Sequence, residues 1–199
     1  MKLELWYPTK PWKVNQAFGK NDNNFYKEMG MAGHNGIDAY APDGWVVRAA
    51  HDGVVTFAGE DGTGGMGIVI RTHDEMEYES VTAYFKTIYW HLRKDGILVQ
   101  PGQSVKVGEI IGLADNTGIS TGSHLHFGLK PVVPGENDWT WGNLEQNNGY
   151  YGAIDPAPYF NGYHAEDAVK VLDILNRIKD TLAKAVPLLL EMAKTLVRK

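Results

Sequence analysis

Between Trp45 and Val133 the chain consists of short runs of β-branched and aromatic residues separated by glycine-containing turns. Such runs are typical of strands, and turn residues at this spacing indicate a sheet, sandwich or barrel. The 23 glycines and 10 tyrosines among the 199 residues also favour a turn-rich β protein over a helical bundle. We therefore predict a mainly β fold, an antiparallel β sandwich or barrel.

The last part of the chain has a different period. Apolar residues recur every three or four positions from Val171 to Leu196, which predicts an amphipathic helix. Pro187 is expected to kink this helix or to begin a second one. The sequence thus divides into a domain over 1–163 and a helical tail over 164–199. We expect the tail to serve packing, self-association or attachment, with docking to a membrane surface or a partner as the alternative.

Composition excludes several classes of function. The chain has no cysteine, so disulfides and thiolate metal sites are excluded, and any metal must be held by His, Asp or Glu. The formal charge of −5 argues against non-specific binding to nucleic acid, which needs a basic surface. No run of eighteen apolar residues is present, so no transmembrane segment is predicted. The first residues lack the long apolar core of a Sec signal peptide.

A His-x-His pair is the strongest candidate for a site. Flanking glycines and an aromatic residue predict that the pair lies on a strand, where successive side chains point to opposite faces. His124 and His126 would then share one face, and Leu125 and Phe127 the other. The pair alone also fits two exposed strand histidines, so further ligands are needed.

Two more histidines lie in glycine-rich or strand-edge settings. His34 has Asp38 four positions later, in a segment whose glycines disfavour a helix, and His91 ends an aromatic strand. A catalytic zinc takes three protein ligands and keeps a fourth position for water. His34, Asp38 and one histidine of the 124/126 pair could supply the three, while the other histidine and His91 face the open position. The remaining histidines lack such neighbours and are predicted to lie at the surface: His51, His73 and His164.

Two other motif matches lack the context that they need. Gly62–Gly67 fits the dinucleotide pattern G-x-G-x-x-G, but a β-branched run follows where that fingerprint requires a helix. Gly118–Gly122 fits the nucleophile pattern G-x-S-x-G around Ser120, but no alternating βαβ pattern surrounds it. Nucleotide binding and serine hydrolysis are therefore disfavoured.

With these residues in place, the chain resembles the lysostaphin-type zinc metallopeptidases, which are peptidoglycan endopeptidases with the duplicated-hybrid-motif β fold. The resemblance extends from about Gly33 to Phe160. It rests on five motifs in the family's order: Gly33–Asp38, Ala49–Val55, Tyr89–Leu92, Gly102–Gly108 and Asn116–Phe127.

The resemblance assigns a role to each candidate residue. It implies that His34, Asp38 and His126 bind Zn²⁺ and that His91 and His124 are catalytic. A neutral histidine can take a proton from water and pass it to the leaving amine, and a second can donate a hydrogen bond to the oxyanion. We favour His124 as the base and His91 as the stabiliser.

The resemblance also implies a substrate and a place of action. We expect a cell-wall lytic endopeptidase that cleaves a peptidoglycan stem peptide or cross-bridge, acting in the periplasm, outside the cell or on a virion. The lack of a Sec signal makes a phage endolysin one context to consider. The alternative is a catalytically inactive cell-wall-binding or amidase-activator module of the same fold. Loops over 20–33, 73–88 and 134–152 are expected to decide which bond is cleaved. In the aromatic loop over 134–163, Trp139 and Trp141 are expected either to form a substrate wall or to pack the loop onto its domain.

Overall fold

The structure, a computed structural model, describes residues 1–21, 24–135 and 142–164. These residues form short strands with one four-residue helix and one 3-10 turn. The strands are β1 Val14–Gln16, β2 Ile37–Tyr40, β3 Val46–Arg48, β4 Gly53–Asp61, β5 Gly65–Thr72, β6 Met76–Tyr78, β7 Val81–Ile97, β8 Ser104–Val105, β9 Ile110–Ala114, β10 His124–Val133 and β11 Gly142–Asn143. The helix α1 is Phe25–Glu28, and the 3-10 turn is Ala157–Tyr159.

The described strands all pair antiparallel in one connected sheet. The main path runs β1-β2-β10-β7-β5-β4-β8, while β9 joins β3 to β7 and the short strands β6 and β11 pair with β7 and β10. The predicted mainly β, antiparallel fold is confirmed. The predicted helical tail lies outside the described residues except for His164, and both it and the domain division at 163/164 stay predictions.

The 17-residue strand β7 connects most of this sheet, because it pairs with β5, β6, β9 and β10. The expectation that residues 73–88 form a loop is wrong, because β6 and the first part of β7 make a hairpin there. Tyr78 and alternate residues of β7 turn inward, including the fully buried Phe85, and this burial favours strand over loop.

Strand β10 has the predicted two faces. Leu125 and Phe127 are fully buried and pack in the core with Tyr89. His124 and His126 lie on the opposite face, where their side chains keep 15% and 12% of their exposure. The apolar face therefore anchors the strand that presents the two imidazoles.

The first residues of the chain pack beside the end of the described unit. The Leu5 N–H donates to the Tyr159 carbonyl at 2.8 Å, and the Asn161 N–H donates to the Leu5 carbonyl at 2.7 Å. Tyr7 and Phe160 add an aromatic contact between the two segments, with ring centroids 5.0 Å apart. These contacts join the first residues of the β unit to its last described residues.

The prediction that His51 lies at the surface is wrong. Its side chain is buried, with Nε2 2.9 Å from the Thr87 hydroxyl and Nδ1 donating to the Asp52 carbonyl at 2.8 Å. Thr87 lies on β7, and only the sheet pairing brings it to His51. Burial lowers the pKa of His51 to about 4, so the ring is neutral at neutral pH. His73, by contrast, is exposed as predicted.

Candidate metal centre and active site

Three side chains predicted to bind a metal converge at the pairing of β2 and β10. The register of these strands sets Asp38 opposite His126, and His34 lies one short segment before β2. The Asp38 Oδ1 atom is 3.1 Å from His34 Nε2 and 3.1 Å from His126 Nδ1, and the two nitrogens are 3.0 Å apart. The structure therefore brings the three candidate ligand atoms into a nearly equilateral triangle.

The chemistry of this triangle fits a cation. His34 Nδ1 lies 3.3 Å from the Ala17 carbonyl, which can only accept, so the neutral ring carries its proton on Nδ1. His34 Nε2 is then the nitrogen that faces the Asp38 carboxylate 3.1 Å away, and a shared cation can lie between the two atoms. Tetrahedral zinc with ligand bonds of about 2.0–2.1 Å holds its ligand atoms about 3.3 Å apart. The observed separations are close to that value.

Protonation favours the same interpretation. Burial by itself would raise the pKa of the Asp38 carboxyl, but its contacts with the rings of His124, His126 and His34 outweigh burial and hold that pKa well below its usual range. Burial also lowers the pKa of His126, which favours its neutral ring. An ionised carboxylate and neutral imidazoles are the forms that bind metals.

Gly36 leaves the space that the His126 ring occupies. A Cβ atom at Gly36 would lie 2.7 Å from both Cε1 and Nε2 of His126, and 2.7 Å from the Phe127 carbonyl oxygen. Real Cβ atoms do not approach so closely, so a larger residue here would displace the ring. The glycine of the His34–Asp38 segment is thus part of the cluster's construction.

The two histidines predicted to be catalytic face this cluster. His91 and His124 have ring centroids 4.6 Å apart, and His124 Nε2 is 3.4 Å from Asp38 Oδ1. Each ring donates Nδ1–H to a carbonyl at 2.7 Å, His91 to Thr117 and His124 to Gly122. In the neutral rings Nε2 is therefore left as the basic nitrogen. All five candidate residues come together at one place.

Burial and nearby charge shift the pKa values of these two rings in opposite directions. Burial lowers the pKa of His91 to about 4, and the neighbouring histidines add to that effect. Burial also acts to lower the pKa of His124, but the hydrogen bond and the negative charge of Asp38 outweigh it and raise that pKa. His91 is therefore neutral at neutral pH.

Ser120, at the centre of the G-x-S-x-G match, lies beside the site but is not activated. Its hydroxyl is 3.3 Å from His124 Nδ1 and donates to the Gly122 carbonyl at 2.9 Å. Because His124 Nδ1 already carries the proton donated to Gly122, it cannot remove a proton from the serine. The contacts agree with the sequence argument against a serine nucleophile.

The cluster lies in an open cleft of about 540 Å³. Part of its lining is aromatic or apolar and comes from α1, the residues just after it and the 142–164 segment: Phe25, Tyr26, Met29, Met31 and Tyr151. Another part is small or polar: Thr63, Gly64, Ser120 and Thr121. Sequence reasoning missed α1 because a single helical turn inside an Asn-rich segment has no periodic signal. Trp139 and Trp141, considered as wall residues, lie outside the described residues.

Fold and site together define an antiparallel β protein with a buried His/Asp cluster of metal-binding type. The profile of Peptidase family M23 matches residues 32–137, which include all five site residues. The chain belongs to peptidase family M23, and the lysostaphin-type resemblance is confirmed.

Individual relatives agree with this membership. The chain is 42% identical over 105 residues to the DD-carboxypeptidase/endopeptidase Mpg of Neisseria meningitidis, covering 51% of this chain and 22% of that protein. It is 39% identical over 124 residues to the peptidoglycan DD-endopeptidase ShyA of Vibrio cholerae, covering 62% and 26%. The matches thus span about a quarter of these relatives' length. The fold is similar to the catalytic domain of lysostaphin from Staphylococcus simulans, with TM-score 0.55, 26% identity, and 74% and 91% of the two chains covered.

Proposed function

We propose that this chain is a zinc-dependent endopeptidase that hydrolyses peptide bonds in peptidoglycan. The observation that carries the proposal is the triangle of His34 Nε2, Asp38 Oδ1 and His126 Nδ1, with sides of 3.0–3.1 Å, facing two further histidines in an open cleft. Three protein ligands with an open side are the arrangement of a catalytic zinc site.

In this proposal His34, Asp38 and His126 hold the ion. When bound, a zinc ion supplies Lewis acidity, which polarises the scissile carbonyl and lowers the pKa of a water molecule towards neutrality. The Ala17 carbonyl fixes the His34 ring through Nδ1, an outer contact of the kind that usually orients metal-binding histidines.

His91 and His124 act on protons. Both residues line the cleft, and each donates its Nδ1–H to a backbone carbonyl, which leaves Nε2 as the basic nitrogen. One Nε2 accepts the proton of the attacking water and returns it to the leaving amine, and the other ring donates to the oxyanion in its protonated form, with the Nε2 proton taken from solvent before the reaction. Both rings have the same tautomer, but the raised pKa of His124 favours it as the protonated ring and the lowered pKa of His91 favours that ring as the base. The preference for His124 as base is therefore not supported by the pKa shifts and stays a prediction.

The substrate is proposed from chemistry and from relatives. The described lining of the cleft carries no Lys or Arg, so it suits a peptide backbone between neutral groups better than a free carboxylate. Relatives that share the matched region are named as endopeptidases, one of them as a peptidoglycan DD-endopeptidase. We therefore place the action at the bacterial cell wall, in the periplasm, outside the cell or on a virion. With all five positions filled, an inactive module is the weaker alternative.

Metal analysis and digestion of cell walls test this function. The purified protein should contain one zinc per chain and release new amino ends from purified peptidoglycan, which mass spectrometry then assigns to a bond. Removal of zinc with a chelator should abolish the release, and added zinc should restore it. A folded, zinc-loaded protein that opens no bond in peptidoglycan from several wall types would reject the proposal.

Variants separate the ligands from the catalytic histidines. His126→Ala should lose zinc, because one of three ligand atoms is removed. His91→Ala and His124→Ala should keep zinc yet lose about 10²–10⁴-fold in activity, the usual contribution of general acid–base groups. Loss of zinc in the His124 variant, with zinc retained in the His126 variant, would reverse the assignment of the pair.

A further inference from the structure

Thr117, in the loop between β9 and β10, makes three hydrogen bonds that join three parts of the chain. Its hydroxyl donates to the Leu92 carbonyl on β7 at 2.7 Å and accepts from the Met66 N–H on β5 at 3.0 Å. Its own carbonyl accepts Nδ1–H of His91 at 2.7 Å. The hydroxyl thus fixes the residue to two strands while the carbonyl holds the ring.

The His91 ring needs this hydrogen bond because strand β7 is irregular at His91. Met66 and Ile68 on β5 pair with Leu92 and Tyr89, so two steps on β5 oppose three on β7, which is a β-bulge. His91 has φ 62°, a left-handed conformation uncommon for residues other than glycine. A bulge redirects a side chain, so the regular alternation of the strand does not set the direction of this ring.

The loop that carries Thr117 has little room to shift. Gly65 and Gly118 contact backbone to backbone: a Cβ on either one would lie 2.4 Å from the amide nitrogen of the other. Both have positive φ, 70° and 74°, which glycine adopts without strain. The Ile119 N–H also donates to the Thr63 carbonyl at 2.9 Å. The Thr117 carbonyl is therefore held at a defined distance from the bulge.

From these contacts we infer that Thr117 is a positioning residue for His91, and that its hydroxyl is the group on which this role depends. The hydroxyl ties the carbonyl to β5 and β7, and the carbonyl holds the His91 ring as the Nδ1–H tautomer with Nε2 in the cleft. The inference rests on the proposed function, in which His91 acts on the reacting groups. Thr117 itself touches no substrate in this scheme.

The test compares three variants as zinc-loaded proteins. Thr117→Val removes the hydroxyl at nearly constant shape, and Thr117→Ser keeps it. Thr72→Val is the matched control, since the Thr72 hydroxyl also donates to a backbone carbonyl (Asp74, 2.9 Å) and accepts a backbone N–H (Phe85, 3.1 Å), but neither partner is one of the five site residues. kcat and KM are measured on a soluble fragment that carries the bond cleaved in peptidoglycan.

Thr117→Val should lower kcat about 10–100-fold, the range seen when an outer contact of a metal-site histidine is disturbed, because the carbonyl that holds His91 is no longer tied to β5 and β7. KM and zinc content should be nearly unchanged. Thr117→Ser should restore most of kcat. Thr72→Val should lower the Tm but leave kcat within about twofold of the wild type, because it costs a buried hydrogen bond without touching the site. An unchanged kcat in Thr117→Val, an equal kcat loss in Thr72→Val, or a Ser variant as impaired as the Val variant would each overturn the inference.

A second readout does not depend on hydrolysis. Two-bond ¹H–¹⁵N NMR correlations distinguish the tautomers of a neutral histidine, so they report whether the His91 proton is on Nδ1. The wild type and Thr117→Ser should show the Nδ1–H form, and Thr117→Val should show a mixture of tautomers. A pure Nδ1–H form in Thr117→Val would overturn the positioning role even if the enzyme is active. The ring signal thus tests this inference separately from the proposed function.

Discussion

At the scale of single residues, Asp38 Oδ1 is the atom around which the site is arranged. Three histidine nitrogens lie within 3.4 Å of it, from His34, His126 and His124. A shared cation would satisfy the carboxylate and the imidazole nitrogens that face it at once. Outward from this atom, backbone carbonyls of Ala17 and Gly122 fix the ring orientations.

The buried His51 gives a prediction about pH at this scale. Burial lowers its pKa to about 4 in the folded protein, from 6.5 when it is not perturbed. Above pH 6.5 the His51 ring is neutral in both the folded and the unfolded protein, so its burial does not lower the free energy of unfolding there. As the pH falls towards 4 the unfolded chain binds the proton first, so the free energy of unfolding drops by about 1.4 kcal/mol per pH unit.

The measurement compares urea unfolding of the wild type with His51→Gln, which has no titrating ring. Between pH 7.5 and 5.5 the wild type should lose about 1.4 kcal/mol more than the variant. Other histidines titrate in both proteins and cancel in this difference. Equal losses in the two proteins would show that His51 keeps its ordinary pKa after folding.

At the scale of elements, the pairing of β2 with β10 builds the metal cluster. The register that sets Asp38 opposite His126 also brings Gly36 against the His126 ring. Gly36→Ala should weaken zinc binding about 10–100-fold, the range seen when the support of a ligand is disturbed, because the new Cβ displaces the ring. Competition with a chelator of known affinity gives the dissociation constant.

Gly62→Ala is the control for this variant. A Cβ at Gly62 meets no atom within 4 Å, so its zinc affinity should equal that of the wild type. Wild-type affinity in Gly36→Ala as well would mean that the ring moves aside without loss, and that Gly36 has no part in metal binding.

Elements that follow from local chemistry could be predicted from the sequence, and those that depend on distant pairing could not. The glycine-flanked His-x-His strand was predictable because alternation places His124 and His126 on one face. Its register against β2 depends on pairing across the sheet, and the resemblance alone indicated His126 as the ligand. The burial of His51 and the support from Thr117 involve partners 36 and 26 residues away, for which the local sequence holds no signal.

At the scale of the whole molecule, the proposed catalytic parts all lie in the β unit Met1–Tyr163. A chain ending at Tyr163 should therefore bind zinc and still cleave isolated peptidoglycan at a rate within a few fold of the full chain. Zinc analysis and the release of amino ends measure this. A truncated chain that is folded and zinc-loaded but inactive would show that residues 164–199 belong to the active enzyme.

The proposed role of those last residues is attachment or stability rather than chemistry. They carry seven Lys and Arg against five Asp and Glu, too small an excess for strong attraction to anionic lipid at about 1 kcal/mol per basic residue. The predicted apolar stripe then calls for protein as its partner, either the β unit or a second chain. Light scattering of the full and truncated chains, at equal concentration, separates these two cases.

The hydrogen bonds between Leu5 and the segment around Tyr159 have a consequence for protein architecture. A unit whose first and last segments lie side by side can be inserted into a surface loop of another protein without stretching either partner. Such a unit is portable, and it can be joined to different targeting or binding modules while its catalytic geometry stays the same. The region shared with this chain makes up 22% and 26% of two of its relatives.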